Sequence, residues 1–117
     1  MNILFVTITS ILAMKVAMAQ DPVEVSPQNH TVLFENDRVR VLDYHSNPGD
    51  KSLTHSHPDY LVYDLADGYQ VRLTSTDGTE KAIEGKAGSV TWHEATTHAV
   101  ENIGTTNAHA LVVELKK

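Results

Sequence analysis

Short segments with strand-like patterning, separated by turn-forming residues, govern what this chain can fold into. They are Thr31–Glu35, Val39–Tyr44, Leu53–His57, Leu61–Leu65, Gln70–Ser75, Glu80–Glu84, Ser89–His93, His98–Ile103 and Ala108–Leu115. Several alternate apolar and polar residues, as in Gln70-Val71-Arg72-Leu73-Thr74, which is the period of a half-buried strand. Between them stand Asn36-Asp37, Asn47-Pro48-Gly49-Asp50, Asp67-Gly68, Asp77-Gly78, Gly85, Gly88 and Gly104-Thr105-Thr106-Asn107. After the first twenty residues no segment holds a helical apolar period over three turns. Strands at this spacing, joined by Gly-rich turns, predict an all-β barrel or sandwich.

At 117 residues the chain has room for one domain and one modest core. There is no linker or repeat that would mark a second. The formal charge is -6 and no basic run occurs, which argues against capture of nucleic acid or anionic lipid. Cysteine is absent, excluding disulfides, thiolate metal sites and cysteine nucleophiles.

Residues 1–19 read as a secretory signal peptide. An apolar stretch from Ile3 to Met14 leads to Ala17-Met18-Ala19, with small residues at -3 and -1 of a cut after Ala19. The apolar stretch is short for a bilayer span, which takes about 20 residues. Lys15 lies between that stretch and the cut, and an uncleaved helix or membrane anchor is the competing reading. Cleavage predicts a periplasmic or secreted protein with no stable membrane insertion. Residues 20–30, with Pro22 and Pro27, read as an extended N-terminal arm, and residues 31–117 as the β domain. Asp21–Leu33 is the expected segment for strand exchange in a dimer.

Histidine is the one compositional excess, at seven. His55 and His57 are spaced i, i+2, so on a strand both side chains point to one face. His98 opens a later strand, which an antiparallel barrel can bring beside the first. Neutral imidazoles suit iron, zinc, nickel, copper or manganese to differing degrees. His-x-His alone is a weak signal. His30, His45 and His109 show no partner spacing, and each reads as a structural histidine. Strand alternation turns Ser56 away from its flanking histidines, so a serine triad has no support.

The spacing around the histidines is more specific. Gly49-x5-His55-x-His57-x3-Leu61-x6-Gly68 and Gly88-x9-His98-x3-Asn102 resemble the two motifs of the cupin family, G-x5-H-x-H-x(3,4)-E-x6-G and G-x5-P-x-G-x2-H-x3-N. The second is one residue shorter here between its glycine and histidine. The resemblance runs from about Val39 to Leu115. With Asn36-Asp37-Arg38-Val39-Arg40-Val41 and Glu101-Asn102-Ile103-Gly104, the chain is similar to small one-domain bacterial cupins. What the resemblance implies is a double-stranded β-helix, a jelly-roll-like β-barrel, with a metal pocket at one mouth and pairing into a homodimer. The family includes dioxygenases, lyases, isomerases, decarboxylases and proteins with no catalytic role.

Three departures bear on function. Tyr60 and Leu61 occupy the region of the family's glutamate ligand. Leu61 cannot bind metal; Tyr60 is open as a ligand, as a hydrogen-bond donor to metal-bound water, or as a core or rim aromatic. Asp59 is expected in solvent beside Pro58. His93 and Ala95 replace the proline and glycine of the second motif. His93 is open as a fourth ligand, a hydrogen-bond partner, a general base or a surface histidine. Asp64 sits in an apolar strand and reads as an edge-strand charge. Trp92 reads equally as barrel packing or pocket wall. The expectation is one divalent transition metal (Fe, Zn, Mn, Ni or Cu) held by His55, His57 and His98, with Tyr60 and His93 as candidate catalytic residues. The leading function is a dioxygenase- or lyase-type enzyme on a small molecule with acidic or oxygen groups. The alternatives are a non-catalytic ligand-binding cupin and a structural cupin with a vestigial site.

Overall fold

The computed structural model describes residues 20–117; the signal-peptide reading of residues 1–19 lies outside the described residues. The described residues form one short helix, α1 (Pro22–Val25), and nine strands. These are β1 (His30–Glu35), β2 (Val39–Ser46), β3 (His55–His57), β4 (Tyr60–Asp64), β5 (Gln70–Ser75), β6 (Glu80–Glu84), β7 (Val90–His93), β8 (Thr96–Asn102) and β9 (Ala108–Leu115). Every predicted strand is present, with ends displaced by up to two residues. Gly49 and Gly88 stand in their turns at φ +88° and +83°, a region that glycine enters without the Cβ penalty.

The strands form two antiparallel sheets, β1-β2-β9-β4-β7 and β3-β8-β5-β6. Alternation assigns each strand an inner and an outer face. In β9, Ala108, Ala110, Val112 and Glu114 are buried while His109, Leu111, Val113 and Leu115 are half-buried. Leu42, Tyr44, Tyr60, Val71, Val100 and Val112 form the core between the sheets. Asn102 closes the β8–β9 loop. Its amide nitrogen donates to the Ser46 and Thr106 carbonyls, and its oxygen accepts from Gly104 N.

Two expectations are corrected. The segment expected as an extended arm contains α1, because Asp21 caps its start at Val23 N and Pro22 occupies the first turn. Ser26, Asn29 and His30 are buried against the chain's own barrel. Asp64 is not an edge charge. It lies in β4, between β9 and β7, and is buried, with Tyr69 Oη donating to its Oδ1 and Lys86 N to its Oδ2.

Candidate metal centre

The β3–β8 ladder assembles the expected histidines. His55 pairs directly with His98, and Ser56 with Thr97. His55 and His57 therefore share the inner face with His98, while Ser56 hydrogen-bonds Thr97 at 2.7 Å on the other. Ring centroids lie 4.9 Å apart for His55–His57 and His55–His98, and 5.3 Å for His57–His98.

A further histidine joins them. His30, read from the sequence as structural, begins β1 with its ring centroid 5.0 Å from His55 and 6.3 Å from His57. One ring nitrogen from each of His30, His55 and His57 lies within 4.8 Å of the others. His98 stands beside this tighter set. His30 lay outside sequence reasoning because its approach depends on β1–β2 pairing, His30 opposite Tyr44, which no local spacing announces.

Hydrogen bonds set the ring tautomers. His55 Nδ1 faces the Leu53 carbonyl at 2.8 Å, and His30 Nδ1 faces the Ser26 carbonyl at 3.3 Å. A carbonyl only accepts, so Nδ1 carries the proton in both rings and Nε2 keeps its lone pair. His57 Nδ1 faces Glu114 Oε2 at 2.6 Å. His55 Nε2 is buried and has no hydrogen-bond partner among the described residues. An orphaned lone pair beside other imidazoles is costly in a protein interior and suits a cation. Burial first, then the neighbouring imidazoles, hold His30 down at about 3, His55 at about 4 and His98 at about 3. These three rings are neutral at pH 7, the state a metal requires. The donor set and the orphaned nitrogen fit a divalent transition ion.

Tyr60 and His93 both face the cavity. Tyr60 lies against His57, centroids 4.7 Å apart, and stacks on His93 at 4.8 Å and 10°. Burial and then the Glu114 charge push the Tyr60 phenol up to about 12, so it stays protonated. Burial lowers the His93 pKa, and its Nε2 is 3.1 Å from Thr91 Oγ1. Leu61 turns to the outer face between Val113 and Trp92, and Trp92 is half exposed there, so neither enters the pocket. Asp59 is half-buried, not free in solvent; its Oδ1 accepts from Ala95 N at 2.8 Å. The cavity has a volume of about 130 Å³. Beyond the histidines its wall is mostly apolar, with Val62, Val71, Leu73 and Val112, while the Asp64–Tyr69 pair, Glu84, Ser89 and Thr91 add polar groups.

No protein-family model matches the chain, and no curated protein matches it. Solved structures do. A cupin domain from Bordetella pertussis is 27% identical, with a TM-score of 0.67, over 75% of this chain and 92% of that one. A cupin superfamily protein from Desulfitobacterium hafniense is 19% identical with a TM-score of 0.57, over 75% of this chain and 76% of that one. A cupin family protein with a double-stranded β-helix fold from Methanocaldococcus jannaschii is 13% identical with a TM-score of 0.60, over 74% and 78%. Its two antiparallel sheets and these neighbours show that the chain has the cupin fold, a double-stranded β-helix.

Proposed function

We propose that the chain binds one divalent transition metal through His30, His55, His57 and His98, and that it is a metal-dependent enzyme for a small oxygen-bearing organic molecule. The observation that carries this reading is the buried Nε2 of His55, without a hydrogen-bond partner among the described residues and amid three other imidazoles. Such a metal supplies Lewis acidity and coordination positions for substrate oxygen.

The remaining residues bear on substrate. A cavity of about 130 Å³ is comparable with an engineered cavity that admits benzene, which favours substrates of that size. With no carboxylate among the ligands, the ion keeps its full charge, which favours an acidic group. Tyr60 Oη, protonated, serves as a hydrogen-bond donor, and neutral His93 serves as a proton acceptor. Dioxygenase- and lyase-type chemistry both suit this arrangement. Metal analysis of untagged protein purified without added metal tests the centre. Turnover of small carboxylic acids with and without dioxygen then separates the two chemistries, and tight ligand retention without turnover would favour a binding module.

The same reading has the protein exported and dimeric. Residues 21–30 are committed to their own barrel, which favours a pairing surface elsewhere. Across the outer face of the five-stranded sheet, Phe34, Val41, Val113, Leu61 and Trp92 form one register row. Thr31, Asp43, Leu111, Tyr63 and Val90 form the next, which is apolar from Leu111 onward and carries the Asp43 charge on β2. At ordinary strand spacing these two rows project roughly 300 Å², the centre of an interface whose standard size is about 800 Å² per partner. A second copy offers the same uncharged row across a two-fold axis.

A further inference from the structure

Glu114 occupies the last inward position of β9, after Ala108, Ala110 and Val112, and is 2% exposed. A carboxylate there is costly unless both oxygens are matched. Both are. Oε2 lies 2.6 Å from His57 Nδ1, and Oε1 accepts from Arg40 Nε at 2.7 Å. Arg40 Nη1 in turn donates to Asp21 Oδ2 at 2.7 Å. Asp21 is the N-cap of α1. A second route leaves the same segment at Ser26, which is fully buried. Its carbonyl faces His30 Nδ1, its hydroxyl accepts from Leu53 N at 2.9 Å, and the Leu53 carbonyl faces His55 Nδ1.

We propose that Glu114 is the carboxylate of this metal site, acting through His57 as a positioning residue, and that Asp21 and Arg40 hold it in place. The inference rests on the metal reading above. Direct ligation by Glu114 is disfavoured because both its oxygens already face donors. Its work is to keep the proton on His57 Nδ1, so that Nε2 carries the lone pair, and to make that nitrogen a stronger donor. The carboxylate that the first cupin motif lacks at Tyr60 or Leu61 is thus supplied from the far end of the chain, one bond removed from the ion. Residues 21–30 carry hydrogen-bond routes to three of the four histidines, and so belong to the site.

The test is zinc affinity of the full chain by calorimetry, paired with histidine nitrogen NMR of the metal-free protein. Glu114→Gln keeps shape and removes charge. It is expected to weaken zinc binding about 10- to 100-fold and to shift the His57 nitrogen resonances, with the chelator-treated protein still folded. Arg40→Lys, which keeps the charge beside Glu114, is expected to retain most of the affinity, whereas Arg40→Met is not. Wild-type affinity and unmoved His57 resonances in Glu114→Gln would overturn the proposal. Should that variant fail to fold, Asp21→Asn, which leaves Glu114 and His57 in place, is expected to move the same resonances and weaken binding by a smaller factor; no change would overturn the relay. If the wild-type protein binds no zinc or other transition ion, the metal reading fails. The metal-free His57 resonances then still decide whether Glu114 sets the tautomer.

Discussion

His55 and His98, 43 positions apart in the chain, face each other in the β3–β8 ladder with their rings 4.9 Å apart at 87°. This pairing brings the two cupin-like motifs into one site. It also means that a register slip of one residue would turn His98 outward and separate the motifs.

Each of the four histidines should matter to metal affinity. His30→Ala, His55→Ala, His57→Ala and His98→Ala are each expected to weaken zinc binding by about 100-fold or more, beyond the range for a residue behind a ligand. Tyr60→Phe should leave affinity within a few-fold. Competition against a chromophoric chelator gives the ranking. Near wild-type affinity in His30→Ala would return the site to the three histidines read from the sequence.

The metal-free protein should lose stability in acid through these same rings. His30, His55 and His98 hold pKa values of about 3, 4 and 3 in the folded state, against an ordinary value of 6.5. Above 6.5 neither folded nor unfolded chain protonates them. As pH falls from 6.5 toward 3 to 4, the unfolded chain takes up protons that the folded chain refuses, so stability drops. Each such ring contributes a slope of about 1.4 kcal/mol per pH unit in that window. Urea midpoints measured with chelator between pH 8 and 4 should be flat above 7 and decline below. Saturating zinc should move the decline to lower pH, since bound metal blocks proton uptake.

Gly85 is tied to the buried Asp64–Tyr69 pair. A Cβ at Gly85 would stand 2.1 to 2.5 Å from the Tyr69 ring, so the ring must move and its bond to Asp64 must break. Gly85→Ala is therefore expected to cost about 1–3 kcal/mol, and Tyr69→Phe, which leaves Asp64 short of a donor, a similar amount. Denaturant titration of both variants checks this. A neutral Gly85→Ala would mean that the loop relaxes away from the ring.

Light scattering at micromolar concentration should give twice the chain mass. Trp92→Glu and Val113→Glu place a charge in the apolar row of the outer sheet face and should both yield monomer with the metal site intact. Monomeric wild-type protein would remove the pairing proposal.

Native protein should begin at Gln20 and occur in an exported fraction. Intact-mass measurement decides this, and a retained Met1 in a cytoplasmic fraction would refute export.

Strand positions, turn glycines and the shared face of His55 and His57 were legible in the sequence because they depend on residues within a few positions of one another. A period of two assigns faces, and a glycine marks a turn, without reference to the rest of the chain. His98 was reached through motif spacing. Glu114 left a local trace, a charge at an inward position of an alternating strand, as did Asp64 in β4; sheet order was needed to show what each meets. His30 left none. Its place follows from β1 pairing with β2, from the buried Ser26 at the end of α1 facing its Nδ1, and from β3 lying across the barrel. The sequence by itself pointed to the strands, their faces and three of the four proposed ligands, His55, His57 and His98. Only the tertiary structure decided the fourth histidine and the carboxylate behind His57, because those contacts join chain ends whose separation no local pattern encodes.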